Sequence, residues 1–297
     1  MKKIKVSIII ISYNTKIFLK NCIQSIYDNA GNISYEIIVV DNNSSDESAN
    51  MVELYFPKVN LIRNLNEGFA KANNRGINVA IGRYILFLNP DTLMHKNTLV
   101  GLFEFMEKTS SAGAATCALI MDGGKLDYSS HRGFPTPWNA FCYFSGLIEL
   151  FPKNRFFSGY TMGWENMKLI HEIDSLTGAF MFTRREAGMQ VGWWDEEYFF
   201  NGEDIDFCYK LKEKKWKIYY IPNFSIIHYG GISGGTKKNT QRVTTATRET
   251  KRIITLERFN SMRIFYKKHY SQKYHPIINF IVILGINLMQ KIALIKI

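Results

Sequence analysis

Two short segments constrain the fold of this chain more than any other feature. Each is an apolar run that ends in an aspartate, Ile37–Asp41 and Ile85–Asp91, and each has the length and composition of a buried strand. In open α/β sheets, ligands bind beyond the carboxyl ends of the strands, so we expect Asp41 and Asp91 to face one crevice. One carboxylate there can accept a hydrogen bond from a base or ribose, and the other can hold a divalent metal on a diphosphate. The two segments together predict nucleotide-sugar chemistry.

The first 120 residues alternate between strand-like and helix-like segments. Continuous apolar strands separated by helices are typical of a parallel sheet that is covered by helices on both faces. The sequence predicts strands at 6–12, 35–41, 58–62, 83–88 and 113–120, and helices at 16–29, 46–55, 67–80 and 96–108.

The regular pattern breaks at residue 122, where a stretch rich in aromatic residues and prolines begins. We predict an irregular insertion over 122–174, because functional loops are often of this kind. Regular structure is predicted to return with a strand at 175–184, a helix at 203–214, a strand at 217–221 and a long basic helix from 241 to about 270.

The net charge of +11 lies entirely in the last fifth of the chain. Residues 1–236 carry 24 Lys or Arg and 24 Asp or Glu, whereas residues 237–297 carry 13 and 2. We therefore divide the chain into a catalytic domain over 1–236, a basic helical segment over 237–275 and an apolar helix over 276–297. Within the domain we expect a nucleotide-sugar half (1–121), the insertion (122–174) and an acceptor and catalytic half (175–236).

The apolar segment at the end has an uncharged part, Pro276–Gln290, that would measure about 22 Å as a helix, short of the roughly 30 Å hydrocarbon core. Asn279, Asn287, Gln290 and Lys291 fall on one sector of that helix. This stripe favours a helix that lies in the membrane interface, with the basic stretch on anionic headgroups. The alternatives are a dimer-forming helix, which would make a homo-oligomer, and nucleic-acid binding by the basic stretch. Our prediction is a membrane surface and no nucleic acid.

The cysteines and the start of the chain bear on the compartment. The four cysteines are far apart in sequence, which is typical of buried free thiols in a reducing compartment. The basic Met1–Lys5 and the short apolar run after it resemble a signal peptide, but the run is too short and predicts a first strand. We expect a cytoplasmic protein.

Three further constellations carry chemistry. Asn89-Pro90-Asp91 presents a carboxylate on a stiff turn, where a hard cation such as Mg²⁺ or Mn²⁺ finds an oxygen ligand. Glu203, Asp204 and Asp206 crowd a predicted helix start, which suits either capping of the helix dipole or a general base with a raised pKa. The aromatic approach to them, Gly192–Phe200, includes Trp193, Trp194 and Asp195 and is suited to sugar binding.

His228 is the third constellation, because a glycine-rich segment, Gly230–Gly235, follows it directly. A lone histidine is more often structural, but a mobile loop beside it suits closure over a diphosphate. The segment lacks the lysine and hydroxyl that end a Walker A motif, and no GxGxxG follows the first strand, which excludes the usual ATPase and dinucleotide signatures.

Taken together, these residues resemble family 2 glycosyltransferases of the GT-A fold, in the rhamnosyltransferase-like subgroup. The resemblance covers roughly residues 5–235 and implies a Rossmann-like, mostly parallel sheet with helices on both faces, followed here by the C-terminal basic and apolar helices. The matching stretches are Val6–Asn14, Val40–Asp46, Asn66–Gly76, Leu88–Asp91, Thr177–Phe180, the 192–211 block and Ile227-His228.

The resemblance also implies roles for individual residues. Asp204 is similar to the general base, with Glu203 beside it, and Asp91 to the metal-binding aspartate of the DxD motif. Asn89 replaces the first aspartate of that motif, which leaves one carboxylate on the metal. His228 matches a histidine that joins the metal in some members. The implied nucleotide-binding residues are Tyr13, Asn14, Asp41, Asn43, Asn66 and Gly68, and the implied acceptor-binding residues are Gly178, Trp193, Trp194 and Asp195.

The expected reaction is a metal-dependent (Mg or Mn) inverting transfer of a sugar, with rhamnose as the family-based choice, from a dTDP- or UDP-sugar. The expected acceptor is a lipid-linked or growing cell-surface glycan on the inner face of the membrane. Two alternatives stay open. A sugar nucleotidyltransferase would share the sheet and the acidic metal site, but such enzymes usually carry a basic glycine-rich loop after the first strand. A catalytically inactive nucleotide-sugar-binding module would need neither Asp204 nor His228.

Overall fold

The computed structural model describes residues 3–232, 244 and 246–295 of the chain. Within them, nine strands form one sheet. The strands are β1 (Val6–Ser12), β2 (Tyr35–Asp41), β3 (Asn60–Arg63), β4 (Tyr84–Leu88), β5 (Thr92–Met94), β6 (Ala112–Ile120), β7 (His171–Ile173), β8 (Phe180–Arg184) and β9 (Lys217–His228). Their order across the sheet is β3-β2-β1-β4-β8-β6-β9-β5, with β7 paired to β9.

The predicted parallel pairing is present in only part of the sheet. Strands β1 to β4 pair in parallel, and so do β6 and β9. Strands β5, β7 and β8 are antiparallel to their neighbours, so the sheet is mixed. Direction in a sheet depends on how the chain returns to it, and here the chain re-enters at β8 after the long insertion. The composition of a buried strand does not reveal that direction.

Two strand pairings bring the ends of distant segments together. Ser12 lies opposite Asp41 in the β1–β2 register, so the loops after both strands meet. The short strand β5 begins immediately after Asp91 and pairs Thr92 with His228 on β9. Because of this pairing, Asp91 and His228 are neighbours although 137 positions separate them in the sequence.

Helices cover both faces of the sheet, as predicted, because their apolar faces close two separate cores. One core packs α1, α2 and α4 against the sheet, and the other packs α3, α7 and α8. The helices are α1 (Lys16–Asn29), α2 (Ser48–Tyr55), α3 (Phe69–Val79), α4 (Thr98–Lys108), α5 (Pro137–Phe144), α6 (Leu147–Leu150), α7 (Arg185–Val191), α8 (Glu203–Glu213), α9 (Arg248–His269) and α10 (Pro276–Ile295). All four cysteines are buried free thiols, as expected.

The predicted irregular insertion, 122–174, contains short regular elements that the sequence pattern did not indicate. Helix α5 begins after Thr136, whose hydroxyl accepts a hydrogen bond from the Asn139 amide, and Pro137 occupies its first turn. This is a favourable helix start, because proline lacks the amide that would be unpaired there. Helix α6 and strand β7 complete the insertion.

Helix α9 is fastened to α8 by a buried ion cluster around Asp206, which is completely buried. The Asp206 carboxylate accepts from His269 Nε2 at 2.7 Å and from Lys268 Nζ at 2.8 Å, both on α9. Tyr198 Oη donates to the same carboxylate at 3.3 Å. Asp206 therefore joins the catalytic domain to the C-terminal helices.

The polar stripe of α10 does not have the role that the sequence suggested. Tyr266 Oη donates to Asn279 at 2.6 Å, and Arg263 donates to Gln290 at 2.8 Å and to Asn287 at 3.2 Å. These side chains face α9, because amide groups pair well with a neighbouring polar helix edge. The stripe is thus an intramolecular contact and gives no support to a headgroup-facing surface.

Helix α10 is also longer than its uncharged part. It continues through Lys291 to Ile295, so its 20 residues measure about 30 Å. By length and composition it could cross a membrane, and only 6% of its most apolar window is buried in the protein.

Candidate functional site

A cavity of about 1350 Å³ opens beyond the carboxyl ends of the central strands. Pockets for small molecules usually measure roughly 300–1,000 Å³, so this one has room for more than a single small ligand. Eight of the predicted site residues line it, and they come from both halves of the domain. These residues are Tyr13, Asn66, Gly68, Asp91, Gly178, Glu203, Asp204 and His228.

Asp91 and His228 form one side of the cavity. His228 Nε2 lies 3.6 Å from Asp91 Oδ1, and this nitrogen is buried without a hydrogen-bond partner. On the other side of the ring, Nδ1 lies 3.1 Å from Asp127 Oδ2. A carboxylate that accepts from Nδ1–H leaves the lone pair on Nε2, which is how ligating histidines are usually oriented. The pair therefore has the form of a partial metal site.

Glu203 and Asp204 form the opposite side, at the first turn of α8. Arg132 Nη2 donates to Asp204 Oδ2 at 2.9 Å, and the Gly178 amide donates to the same oxygen at 3.4 Å. Burial and the negative charge of Asp204 raise the pKa of Glu203 to about 8. At neutral pH Glu203 is thus mostly protonated, while Asp204 has the Arg132 guanidinium as its countercharge.

The implied nucleotide-binding residues are held at the ends of β1 and β2. Asp41 is buried, its Oδ2 accepts from the Ser44 amide at 2.9 Å, and its Oδ1 has no partner. Asn14 Oδ1 accepts from the Ser45 amide at 2.8 Å, which ties the two loops together. Asn43 is exposed and lies outside the cavity lining. Asp41 and Asn14 also lie outside the cavity lining, so the expectation that Asp41 and Asp91 line one crevice is not met, because Asp41 is buried beneath the loop that its carboxylate caps.

Gly68 and Asn66 lie at the cavity wall ahead of α3. Gly68 has a φ of +101°, and a Cβ at this position would lie 2.7 Å from the Phe199 carbonyl oxygen. Only glycine fits both the backbone conformation and this close approach. The segment before α3 is thereby pressed against the 192–200 segment, which joins the two halves of the domain.

The structure does not support the tryptophans as acceptor platforms. Trp194 is 2% exposed, and its ring packs edge-on against Phe87 and stacks on Phe207. Trp193 is parallel to the Phe207 ring and is not part of the cavity lining. Both indoles thus pack against the apolar core. Asp195 forms an ion pair with Lys268 on α9 and likewise lies outside the lining.

Two polar residues of the site, Arg132 and Asp127, were missed by the sequence analysis. Both come from the insertion, and they contact residues 72 and 101 positions further along the chain. No local pattern marks them, because their roles depend on partners supplied by α8 and β9. The second half of the glycine-rich segment after His228, 233–235, lies outside the described residues, so its predicted closure over a diphosphate stays a prediction.

Comparison with known proteins is consistent with this geometry. Residues 7–173 match the family model for glycosyl transferase family 2, which is more than half of the chain. The chain belongs to this family. The family assignment made from the sequence motifs is therefore confirmed, and the protein is a glycosyltransferase.

Two curated relatives are similar to this glycosyltransferase in sequence, and two solved structures are similar to it in fold. The chain is 28% identical over 233 residues to rhamnosyltransferase WbbL of Escherichia coli (strain K12), which covers 75% of this chain and 83% of the relative. It is 26% identical over 213 residues to the N-acetylglucosaminyl-diphospho-decaprenol L-rhamnosyltransferase of Mycobacterium tuberculosis (strain ATCC 25618 / H37Rv), covering 67% and 68%. The mannosyltransferase PcManGT from Pyrobaculum calidifontis, solved with GDP-Man and Mn²⁺, has a TM-score of 0.58 at 14% identity and covers 98% of this chain and 72% of that one. GalNAc-T7, solved with UDP, GalNAc and Mn²⁺, has a TM-score of 0.57 at 16% identity and covers 88% and 51%. These structures confirm the GT-A fold.

Proposed function

We propose that this protein is a metal-dependent, inverting glycosyltransferase that takes its sugar from a pyrimidine nucleoside diphosphate. The donor to test first is dTDP-rhamnose, followed by UDP-sugars, and the acceptor is a lipid-linked or growing cell-surface glycan. One observation carries the proposal. Asp91 and Asp204, which come from different halves of the domain, line one cavity that is large enough for donor and acceptor together.

The residues at the donor end fit a divalent cation. Asp91 supplies a carboxylate and His228 a buried nitrogen with a free lone pair, 3.6 Å apart. Among the described residues no group of three or more such ligands converges, so the remaining ligands would be phosphate oxygens and water, as Mg²⁺ and Mn²⁺ sites on nucleotides often have. When bound, such an ion supplies positive charge to the departing diphosphate. Asp127 would orient His228 through Nδ1.

Asp204 acts as the general base in this proposal. A carboxylate offers about four lone-pair directions, and Arg132, Gly178 and the Ile205 amide use three. The remaining one accepts the proton of an acceptor hydroxyl as that oxygen bonds to the anomeric carbon. The bond from that carbon to the diphosphate oxygen breaks at the same time, and its electron pair leaves with the nucleoside diphosphate. Direct displacement from the opposite side inverts the anomeric centre.

Glu203 complements the base by remaining neutral. A second charged carboxylate next to Asp204 would be destabilised by burial and by repulsion, which is why the pKa of Glu203 is raised to about 8. A protonated Glu203 can donate a hydrogen bond to a sugar oxygen, whereas Asp204 accepts one. One of these adjacent residues is thus a hydrogen-bond donor and the other a hydrogen-bond acceptor.

The relatives support the choice of acceptor and donor. The names of the two curated relatives describe rhamnosyl transfer, and one of them describes transfer to a diphospho-decaprenol-linked sugar. The exposed apolar helix α10 is in keeping with work at the inner surface of a membrane. We infer a peripheral protein on the cytoplasmic face.

The first experiment is thermal unfolding with UDP, dTDP, GDP and CMP, each with and without Mn²⁺ or Mg²⁺. A ligand that binds only the folded state raises its stability, so we expect a metal-dependent increase in Tm with dTDP or UDP. The Asp91→Asn variant should lose the metal dependence. Asp122→Asn is the matched control, because Asp122 is exposed and outside the cavity lining. A protein that no nucleotide stabilises would contradict the proposal and favour an inactive module.

A nucleotide that stabilises the protein is then tested as its sugar conjugate in a transfer assay with membrane extracts as acceptor. Inversion is read from the anomeric configuration of the new linkage by NMR. Retention of configuration would overturn the single-displacement mechanism while leaving the donor site intact.

A further inference from the structure

The catalytic cavity does not end at Asp204 but continues outward between apolar walls. Its inner part carries the carboxylates, amides and imidazole described above. Its outer part is lined by helices α5, α9 and α10, which lie outside the part of the chain that forms the nucleotide-binding strands. This outer part, the α5–α10 groove, needs an occupant other than the nucleotide sugar.

Helix α10 forms one wall of the groove. The residues that face the groove recur at spacings of three and four, so they share one side of the helix. They are Ile278, Ile281, Val282, Gly285, Ile286 and Met289. A second apolar side, with Phe280 68% exposed and Leu284 45% exposed, points away from the protein. The polar edge is already bonded to α9, so α10 has apolar surface both towards the groove and towards its surroundings.

Helix α5 forms the facing wall with aromatic side chains. Trp138, Phe141 and Phe144 line the cavity, and between 40% and 56% of each is exposed. Soluble proteins rarely leave several large aromatic rings exposed together unless the patch binds something apolar. The two walls are therefore suited to a long hydrocarbon chain.

The cavity that contains the two apolar walls and the catalytic carboxylates also has a cation in its lining. Arg258 of α9 lines the cavity and is solvent-exposed; no ion pair joins it to another of the described residues, and its guanidinium lies 5.0 Å from the centre of the Phe259 ring. An unpaired guanidinium in a cavity with apolar walls is complementary to a phosphate group. Arg258, Asp204 and the apolar residues of α10 thus line one cavity.

We propose that the α5–α10 groove binds the hydrocarbon chain of a polyprenyl-diphosphate-linked acceptor, with Arg258 contacting its diphosphate. The acceptor sugar would then extend inward to Asp204, and the chain would leave along α10 to the membrane. This inference rests on the proposed glycosyltransferase function and adds the site at which the acceptor's lipid is held.

Two other occupants fit the groove less well. A helix from a second copy of the chain is about 10 Å across and would block the cavity that must admit the acceptor. A bulk phospholipid has hydrocarbon and phosphate but carries no sugar that must reach Asp204. The groove runs into the catalytic cavity, which favours a lipid that is part of the substrate.

Gly285 provides the sharpest test. A Cβ at Gly285 would have no atom within 4 Å, so a larger side chain there enters open groove space without displacing the protein. Gly285→Phe should therefore fill the groove while α10 still folds. The matched control is Leu284→Phe, one residue earlier on the outward side of the same helix.

The probe is a benzophenone-bearing polyprenyl diphosphate, photo-crosslinked to the full-length protein in detergent and mapped by mass spectrometry. We expect labels on α5 and α10, labelling reduced at least tenfold in Gly285→Phe, and near-normal labelling in Leu284→Phe. Arg258→Gln should reduce labelling several-fold. Unlabelled polyprenyl diphosphate should compete, whereas phosphatidylglycerol should not.

Equal labelling of Gly285→Phe and wild type would overturn the proposal, as would labels outside α5, α9 and α10. Equal competition by phosphatidylglycerol would show a general lipid surface and would also overturn it. Metal-dependent stabilisation by dTDP or UDP is measured on the same samples. If the groove variants label like wild type while dTDP or UDP still stabilises the protein, only the lipid-binding proposal is wrong. If no nucleotide stabilises the protein, the proposed function itself is wrong.

Discussion

The two sides of the catalytic cavity are built in different ways. The donor side consists of loops that follow parallel strands, and its polar residues are placed by strand register, as where Ser12 meets Asp41. The acceptor side consists of helix α8, an insertion and two C-terminal helices, and its residues are placed by long-range contacts such as Arg132–Asp204. A site that depends on local strand geometry can be recognised from motifs, whereas a site that depends on packing between distant segments cannot.

This difference predicts that substitutions on the two sides have separable effects. Asp204→Asn should lower the transfer rate by about 10²–10⁴-fold, because an amide cannot take the acceptor's proton. The dissociation constant for dTDP or UDP with Mn²⁺ should stay within about twofold of wild type. Single-turnover transfer and equilibrium binding measure the two quantities.

The matched control for this prediction is Glu213→Gln, at the exposed opposite end of α8, which should retain the wild-type rate. If Asp204→Asn instead weakened nucleotide binding as strongly as transfer, the division into donor and acceptor sides would be wrong.

Substitution of Trp194 tests whether the aromatic segment before α8, Gly192–Phe200, belongs to the core or to the acceptor side. Because it is 2% exposed between Phe87 and Phe207, Trp194→Ala should lower the free energy of unfolding by about 3–5 kcal/mol. Urea denaturation measures this loss. Trp138→Ala is the comparison, since Trp138 is 40% exposed on α5, and its effect on unfolding should be clearly smaller. If Trp194→Ala instead had normal stability and weakened transfer to the acceptor, Trp194 would be an acceptor-binding residue after all.

Asp206 tests how firmly the C-terminal helices are joined to the catalytic domain. Burial alone would raise the pKa of Asp206, but hydrogen bonds from His269 and Lys268 outweigh burial and lower it. Asp206→Asn should therefore cost about 1.5–3 kcal/mol of unfolding free energy at pH 7, the usual contribution of hydrogen bonds to a charged group.

The pH dependence of that cost follows from the direction of the shift. A carboxylate whose folded pKa is depressed stabilises the protein above its unfolded pKa, about 3.9, and this stabilisation is lost as the pH falls through the folded pKa. Through this carboxylate, the difference between wild type and Asp206→Asn should narrow below about pH 4. Asp28→Asn, at an exposed acid of α1, is the control. A difference that grew on acidification would contradict this account.

The smallest expected effect concerns Asp127, which comes from the insertion but contacts His228 on the donor side. If it orients His228, Asp127→Asn should weaken Mn²⁺-dependent nucleotide binding by about 10–100-fold, as substitutions behind a metal ligand usually do. Isothermal titration with dTDP at several Mn²⁺ concentrations measures this change, and His228→Ala should produce a larger one. Unchanged Mn²⁺ dependence in Asp127→Asn, alongside a loss in His228→Ala, would show that the imidazole needs no such partner.

Much of the donor side could be predicted from the sequence. Strands β1, β2 and β4 were placed to within one residue, because apolar runs of that length are buried on both faces whatever surrounds them. Strand β5 was missed, since three residues after Asp91 form a strand only through pairing with β9. Strand β9 was expected to end at 221 but extends to His228, because β5 and β6 supply its partners.

The sequence by itself determined the family, the parallel strands and the carboxylates at their ends. It could do so because local periodicity and turn chemistry act over a few residues. Only the tertiary structure decided that Arg132 neutralises Asp204, that Asp127 faces His228, and that Trp194 is in the core. It also turned the polar stripe of α10 towards α9. Each of these contacts joins residues that are far apart in the chain, and their free energy depends on burial and on partners that no local pattern contains.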